Sequence, residues 1–200
     1  MGFFKKLFSS KKINEENRQD TNVPDIYNEE YLNKRYQEDD IFKNTTLMDS
    51  CMGMFREFYR DNKIQPKVQE PINHPLNLDQ IVNEGLGFHT YCKAFNLKDS
   101  MITLFLATGF SEFLINKYGF KVYKDSEPEF PKRMMTLRYD KNGSMLSIYP
   151  MEYALKVLNK ESAFETLYTR IDTQLDNMPQ VNDVLEIYLN RLKEIGNKKA

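Results

Sequence analysis

The most apolar stretch of the chain is Met101-Ile102-Thr103-Leu104-Phe105-Leu106-Ala107, with one polar side chain among its residues. At about 100° per residue these side chains point round the whole helix, and a helix that is apolar all round is either buried or membrane-spanning. The run is well short of the ~20 apolar residues that a bilayer requires. The pattern therefore predicts a core helix over 99–118. Asn96 and Asp99 suit its start. Gly109 is expected to let another backbone approach closely, and Gly119 to end the helix in the left-handed conformation.

Alternation then replaces helical period. Phe120-Lys121-Val122-Tyr123-Lys124 predicts a short strand, and Pro128 and Pro131 keep the following loop irregular. Residues 134–139 and 144–149 flank Asp140-Lys141-Asn142-Gly143. Asn-Gly favours a type I′ turn, whose two central residues need φ > 0. That turn pairs Lys141 with Ser144, Tyr139 with Leu146 and Leu137 with Ile148. Apolar side chains then share one face, and Arg138 opposite Ser147 and Thr136 opposite Tyr149 share the other, so turn chemistry and face pattern give the same register.

Helical spacing governs the flanks. Residues 24–36 and 39–62 read as helices, the second with the stripe Leu47, Cys51, Met54, Phe55, Phe58 and Tyr59. Pro66, Pro71 and Pro75 mark 64–77 as an extended connector. Asn77 is expected to cap a helix that runs to about Phe95, weakened by Gly85 and Gly87. Pro150 fits the first turn of the next helix. Ser162-Ala163-Phe164-Glu165 matches a capping box ahead of the stripe Phe164, Leu167, Tyr168, Ile171, Leu175 and Met178. After Pro179, the residues Val181, Val184, Leu185, Tyr188, Leu192 and Ile195 predict a last amphipathic helix. The resulting fold is α+β and mostly helical, with a small three-stranded antiparallel sheet packed on the central apolar helix. Its organisation is a basic then polar tail (1–23), an N-terminal helical arm (24–63), the connector (64–77) and a main domain (78–196).

Charge narrows the function classes. The 28 basic and 29 acidic residues nearly cancel, so bulk charge gives no case for nucleic acid. Residues 1–12 nevertheless carry four lysines and no acid, and residues 13–50 carry ten acids against four bases. Phe3, Phe4, Lys5, Lys6, Leu7 and Phe8 form a short amphipathic segment with two readings: a weak membrane-surface contact, or a disordered, solubilising start. Gly2 does not make a myristoylation signal, because Lys6 stands where Ser or Thr is needed. No secretory signal is evident. Cys51 and Cys92, with His74 and His89, lack metal-ligand spacing, and two free thiols fit a reducing cytoplasm.

Catalytic motifs are missing. There is no nucleophile elbow, P-loop, H-E-x-x-H or paired C-x-x-C. Gly85-Leu86-Gly87 lacks the preceding strand of a phosphate loop. Cys92 and His89 are spaced to meet on one helix face, but nothing orients or activates them. No cofactor is implied. The one polar anomaly is Glu112 on the core helix, with Asn116 a turn further on, near the middle of the face that carries Ile102, Phe105 and Gly109. A carboxylate there needs a partner, and Arg133 or Arg138 of the neighbouring hairpin is the expected one. Glu112, Asn116 and Arg138 thus define a possible polar site at the helix–sheet junction; its plainer reading is a structural ion pair or a helix end that reaches solvent.

From Met101 to Leu175 the order is a helix bearing Gly109-Phe110-Ser111-Glu112, a strand after Gly119, a proline loop, and strands ending at Pro150 before another helix. This order resembles a family of uncharacterised bacterial α+β domains, although Phe120 stands where the family often has Trp. The resemblance implies an α+β architecture and a bacterial origin, and related small domains include immunity and accessory proteins. Two function classes follow, beside that of a peripheral membrane protein anchored by residues 1–12. One is a non-catalytic cytoplasmic interaction module whose partner is another protein, which a contiguous exposed aromatic patch would favour. The other is a small-molecule binder or enzyme, which needs one pocket joining Glu112, Asn116 and Arg138.

Overall fold

A computed structural model describes residues 34–39, 45–141 and 144–178. Its elements are β1 (Tyr36–Glu38), α1 (Thr45–Asn62), α2 (Pro75–Asn83), α3 (Phe88–Ala94), α4 (Asp99–Tyr118), β2 (Lys121–Asp125), β3 (Met135–Lys141), β4 (Ser144–Ile148), α5 (Pro150–Leu158) and α6 (Phe164–Asp176). The fold is α+β, with an antiparallel sheet in the order β1-β2-β3-β4. The sheet has four strands rather than the expected three. The extra one, β1, includes Tyr36, which sequence spacing assigned to a helix; Tyr36 pairs with Asp125 and Glu38 with Tyr123. A three-residue strand this polar carries no alternation signal of its own, and its partner across the sheet lies far along the chain.

The hairpin register agrees with the expected pairing: Leu137 opposite Ile148, Tyr139 opposite Leu146 and Lys141 opposite Ser144. Leu137, Ile148 and Val122 are buried on one face of the sheet. The Asn142-Gly143 turn itself lies outside the described residues, as do residues 1–33, with the tail and its membrane-contact segment, and the expected helix after Pro179. The inner face of the sheet joins the common core, and α5 lies against β3. The end of α4 reaches the sheet through Phe120, whose ring lies 5.5 Å from that of Tyr139.

Helix α4 is the core element. Every residue from Ile102 to Ser111 is buried, and so are Phe113 and Leu114. Two of its polar side chains bond to their own backbone: Thr103 Oγ1 donates to the Asp99 carbonyl at 2.9 Å and Ser111 Oγ to the Ala107 carbonyl at 2.6 Å. Helix α1 packs across α4. What comes close at Gly109 is a ring, not the backbone expected: a Cβ there would lie 2.5 Å from Cε2 of Phe55. Phe55, Phe58 and Cys51 are fully buried, so the N-terminal helical arm contributes to the same core as α4. Aromatic edges tie the layers together, with Phe55–Phe88, Phe58–Tyr91 and Phe110–Phe164 centroids at 5.3, 5.3 and 5.0 Å.

Three helix boundaries differ from the sequence reading, each for a local reason. Residues 78–95 form two helices, because Gly85 and Gly87 take φ of 61° and 73° and break the chain between α2 and α3. Asn96 ends α3 instead of starting α4: at φ 58° it takes the left-handed conformation that Asn tolerates, and Leu97 N–H returns to the Cys92 carbonyl. The start of α2 falls to His74, whose Nδ1 accepts from Leu76 N–H at 3.2 Å. Asn77 instead exchanges bonds with Val68 in the connector, N–H to Oδ1 at 2.9 Å and Nδ2 to carbonyl at 2.7 Å, standing in for a neighbouring strand. Gln80 does the same for Gln65 and Lys67. The Ser162–Glu165 capping box does not form. The carboxylate of Asp79 on α2 accepts from Phe164 N–H at 2.7 Å and Glu165 N–H at 2.9 Å, so α6 is capped from another helix. Gly119 ends α4 at φ 80°, and Pro150 opens α5, both as expected.

Candidate functional site

Glu112 interrupts the buried run of α4 and is half-buried. Its partner is not an arginine of the hairpin. Buried Asn73, from the connector, donates Nδ2 to both the Gly109 carbonyl at 2.8 Å and Glu112 Oε2 at 2.9 Å. Burial pushes the Glu112 carboxyl above its ordinary range; Arg56 pulls it down and Asp49 adds to the rise. Both of those lie on α1, the helix this side of α4 faces. Next to it, Cys51 Sγ lies 3.0 Å from the Phe105 carbonyl. Burial first, and Glu112 second, push that thiol well above the usual range, which suits a packed thiol and not a nucleophile.

The other two members of the expected polar site lie elsewhere. Asn116 is exposed, one turn beyond the cover that Asn73 provides. Arg138 sits opposite Lys121 and Ser147 on the sheet, between residues Leu137 and Tyr139 that face inward, so alternation turns it to the outer face. Arg133 is engaged by Glu152 at 2.6 Å and Glu129 at 2.9 Å. Glu112, Asn116 and Arg138 share no hydrogen bond or ion pair among the described residues. The Cys92–His89 pair fares no better. Cys92 is fully buried, and burial raises its thiol to about 12. His89 is half-exposed and its Nε2 lies 2.8 Å from Asp99 Oδ1. Among the described residues no three His, Cys, Asp or Glu side chains gather as a metal site.

The outer face of the sheet holds a cluster of charged and aromatic side chains. The guanidinium of Arg138 lies between two rings, 4.9 Å from the centroids of both Tyr36 and Tyr123. Arg35 covers the Tyr36 ring at 5.2 Å and grips Asp125 through two bonds of 2.9 Å, Nε to Oδ1 and Nη2 to Oδ2. Planar guanidinium groups suit this combined stacking and bidentate pairing. At the far end Arg133 lies 4.8 Å from the Tyr149 centroid and 5.1 Å from that of Phe130. Burial, then the Asp125 charge, raise the Tyr36 hydroxyl above its normal range, which keeps it a neutral ring in the stack. Arg138 Nε is buried and has no hydrogen-bond partner among the described residues, and its Nη2 is 3.7 Å from Asp140 Oδ1. Two large apolar side chains on this side are exposed, Phe130 at 40% and Met145 at 48%.

Sequence reasoning singled out Arg138 but missed its companions Tyr36 and Tyr123, and Tyr149 beside Arg133. The hairpin register placed Arg138 and Tyr149 on one face. The pairing of β2 with β3 follows a long proline loop that fixes no register, and β1 gave no strand signal at all. No protein-family model, curated protein or solved structure matches the chain. Among the described residues no helix is long and apolar enough to cross a membrane.

Proposed function

We propose that the chain is a non-catalytic protein-interaction or accessory module, of the immunity-like bacterial kind that its helix–strand order resembles, working in the cytoplasm with another protein as partner. The observation that carries this reading is the outer sheet face, where stacked Tyr and Arg side chains run out to exposed Phe130 and Met145. Tyr, Phe, Met and Arg are the residue types enriched at protein interfaces, and pre-stacked side chains lose little freedom when a partner covers them. The alternative of a small-molecule site at the helix–sheet junction loses its support, since its three residues lie apart.

The test is affinity capture from the native cells with the unaltered chain and with the Phe130→Asp, Met145→Asp double variant. A partner held by the first and lost by the second, with circular dichroism unchanged, supports the reading. Capture that is indifferent to the two substitutions removes the outer face from consideration.

A further inference from the structure

β4 is the terminal strand of the sheet, and its outer edge has no backbone partner among the described residues. Natural edge strands are guarded by charge, proline, a bulge or brevity. The edge at β1 is three residues long and ends in Glu38. The edge at β4, Ser-Met-Leu-Ser-Ile, is five residues long and carries no charge and no proline. Beside it runs a groove of about 270 Å³ between β4, α5 and α6. Leu146, Ile148, Tyr153, Leu167 and Ile171 give its apolar part, and Lys156 and Arg170 are the cations at its wall. The one acid there, Glu152, is already held by Arg133 at 2.6 Å and by Lys156 at 3.4 Å. Arg170 is exposed and makes no ion pair among the described residues.

We infer that β4 and this groove bind an extended acidic peptide segment, added to the sheet as a fifth strand beside β4. An added strand lies about 4.8 Å from its neighbour and turns alternate side chains to one face. Those facing inward fall over the α5–α6 groove, where an apolar side chain meets Leu146, Tyr153 and Ile171 and a carboxylate meets Arg170. The backbone edge supplies the affinity and the groove the side-chain selection, which is how strand-addition sites work in general. The inference rests on the reading of the chain as an interaction module but uses a separate surface from the outer face.

The probes are fluorescein-labelled peptides of alternating Thr and Val with Glu, Gln or Lys at one central inward position, titrated against the full chain by anisotropy. The Glu peptide is expected to bind tightest. Arg170→Gln should weaken it about fivefold, to the level of the Gln peptide, and N-methylation of the peptide's β4-facing amides should abolish binding. Equal affinity for the Glu and Lys peptides overturns the inference, as does binding that survives N-methylation or no binding at all. A concentration-dependent dimer in sedimentation that the Glu peptide does not dissociate also overturns it, because the edge then pairs with a second copy. Phe130→Asp alone is the separate control, because Met145 belongs to β4 itself: loss of cellular capture there with the peptide series intact, or the reverse, tells which of the two surfaces has failed.

Discussion

Glu112 and Asn73 meet because the connector folds back over α4. A side-chain amide can both donate to the carboxylate and satisfy the Gly109 carbonyl; an arginine could do the first but would bring a charge that the buried Asn73 position does not accommodate. The sign of the pH effect follows from burial. The folded-state carboxyl titrates above its ordinary value, so the fold favours the neutral acid, and ionisation costs stability as pH rises through that interval. Glu112→Gln keeps the acceptor for Asn73 and removes the ionisation. The variant is therefore expected to be more stable than the parent at pH 7, by urea unfolding, with the difference closing as pH falls below the normal glutamate range. A variant less stable at pH 7 would mean that the attraction of Arg56 for the carboxylate outweighs its burial. The polar anomaly was visible in the sequence because an acid in an apolar run stands out. Its partner was not, because a neutral amide in a proline-spaced segment carries no signal, and charge complementarity pointed to the wrong side of the helix.

Helices and strands here borrow their ends from one another. α6 takes its cap from Asp79, 85 residues away in sequence, and the connector takes its strand-like bonds from Asn77 and Gln80. The Ser162–Glu165 pattern named the right place for a helix to begin and the wrong donor of the cap, since capping boxes are local and this cap is tertiary. Ser162 Oγ is occupied by Tyr153 at 2.7 Å, which leaves the amides of Phe164 and Glu165 to Asp79. Asp79→Ala strips both amides of their acceptor. Urea unfolding should show a loss of about 1–2 kcal/mol, and hydrogen exchange should rise at the first turn of α6. A change of a few tenths, with α6 amides still protected, would return the capping role to Ser162. Element types and the hairpin register were legible because periodicity and turn chemistry are local. The split of α2 from α3 was half legible: the glycines were seen as weakening one helix, but positive φ at both makes them a break.

At the scale of the molecule, one core joins elements that the proline count seemed to set apart. Cys51, Phe55 and Phe58 of α1 are fully buried among residues of α3 and α4. Losing one such ring costs about 3–5 kcal/mol, and a domain this size holds only about 5–15 kcal/mol in total. A chain beginning at residue 64, the first of the connector, is thus expected to show no cooperative thermal transition and a near-ultraviolet spectrum without fixed aromatic signals. A sharp transition would show that α1 is a dispensable arm. The α+β class could be read from the order of periods along the chain. The fourth strand and the outer-face stack could not, because both depend on a pairing between residues 36–38 and 123–125, which no local pattern announces.

The strand order also fixes where a reporter group can sit. β1 and β4 occupy opposite edges, about 14 Å apart at ~4.8 Å per strand spacing. Among the described residues the chain enters the sheet through β1, at the edge away from β4. A fluorophore coupled at Glu38 on β1 is therefore three strands removed from a segment docked on β4, and its signal separates events at the two edges.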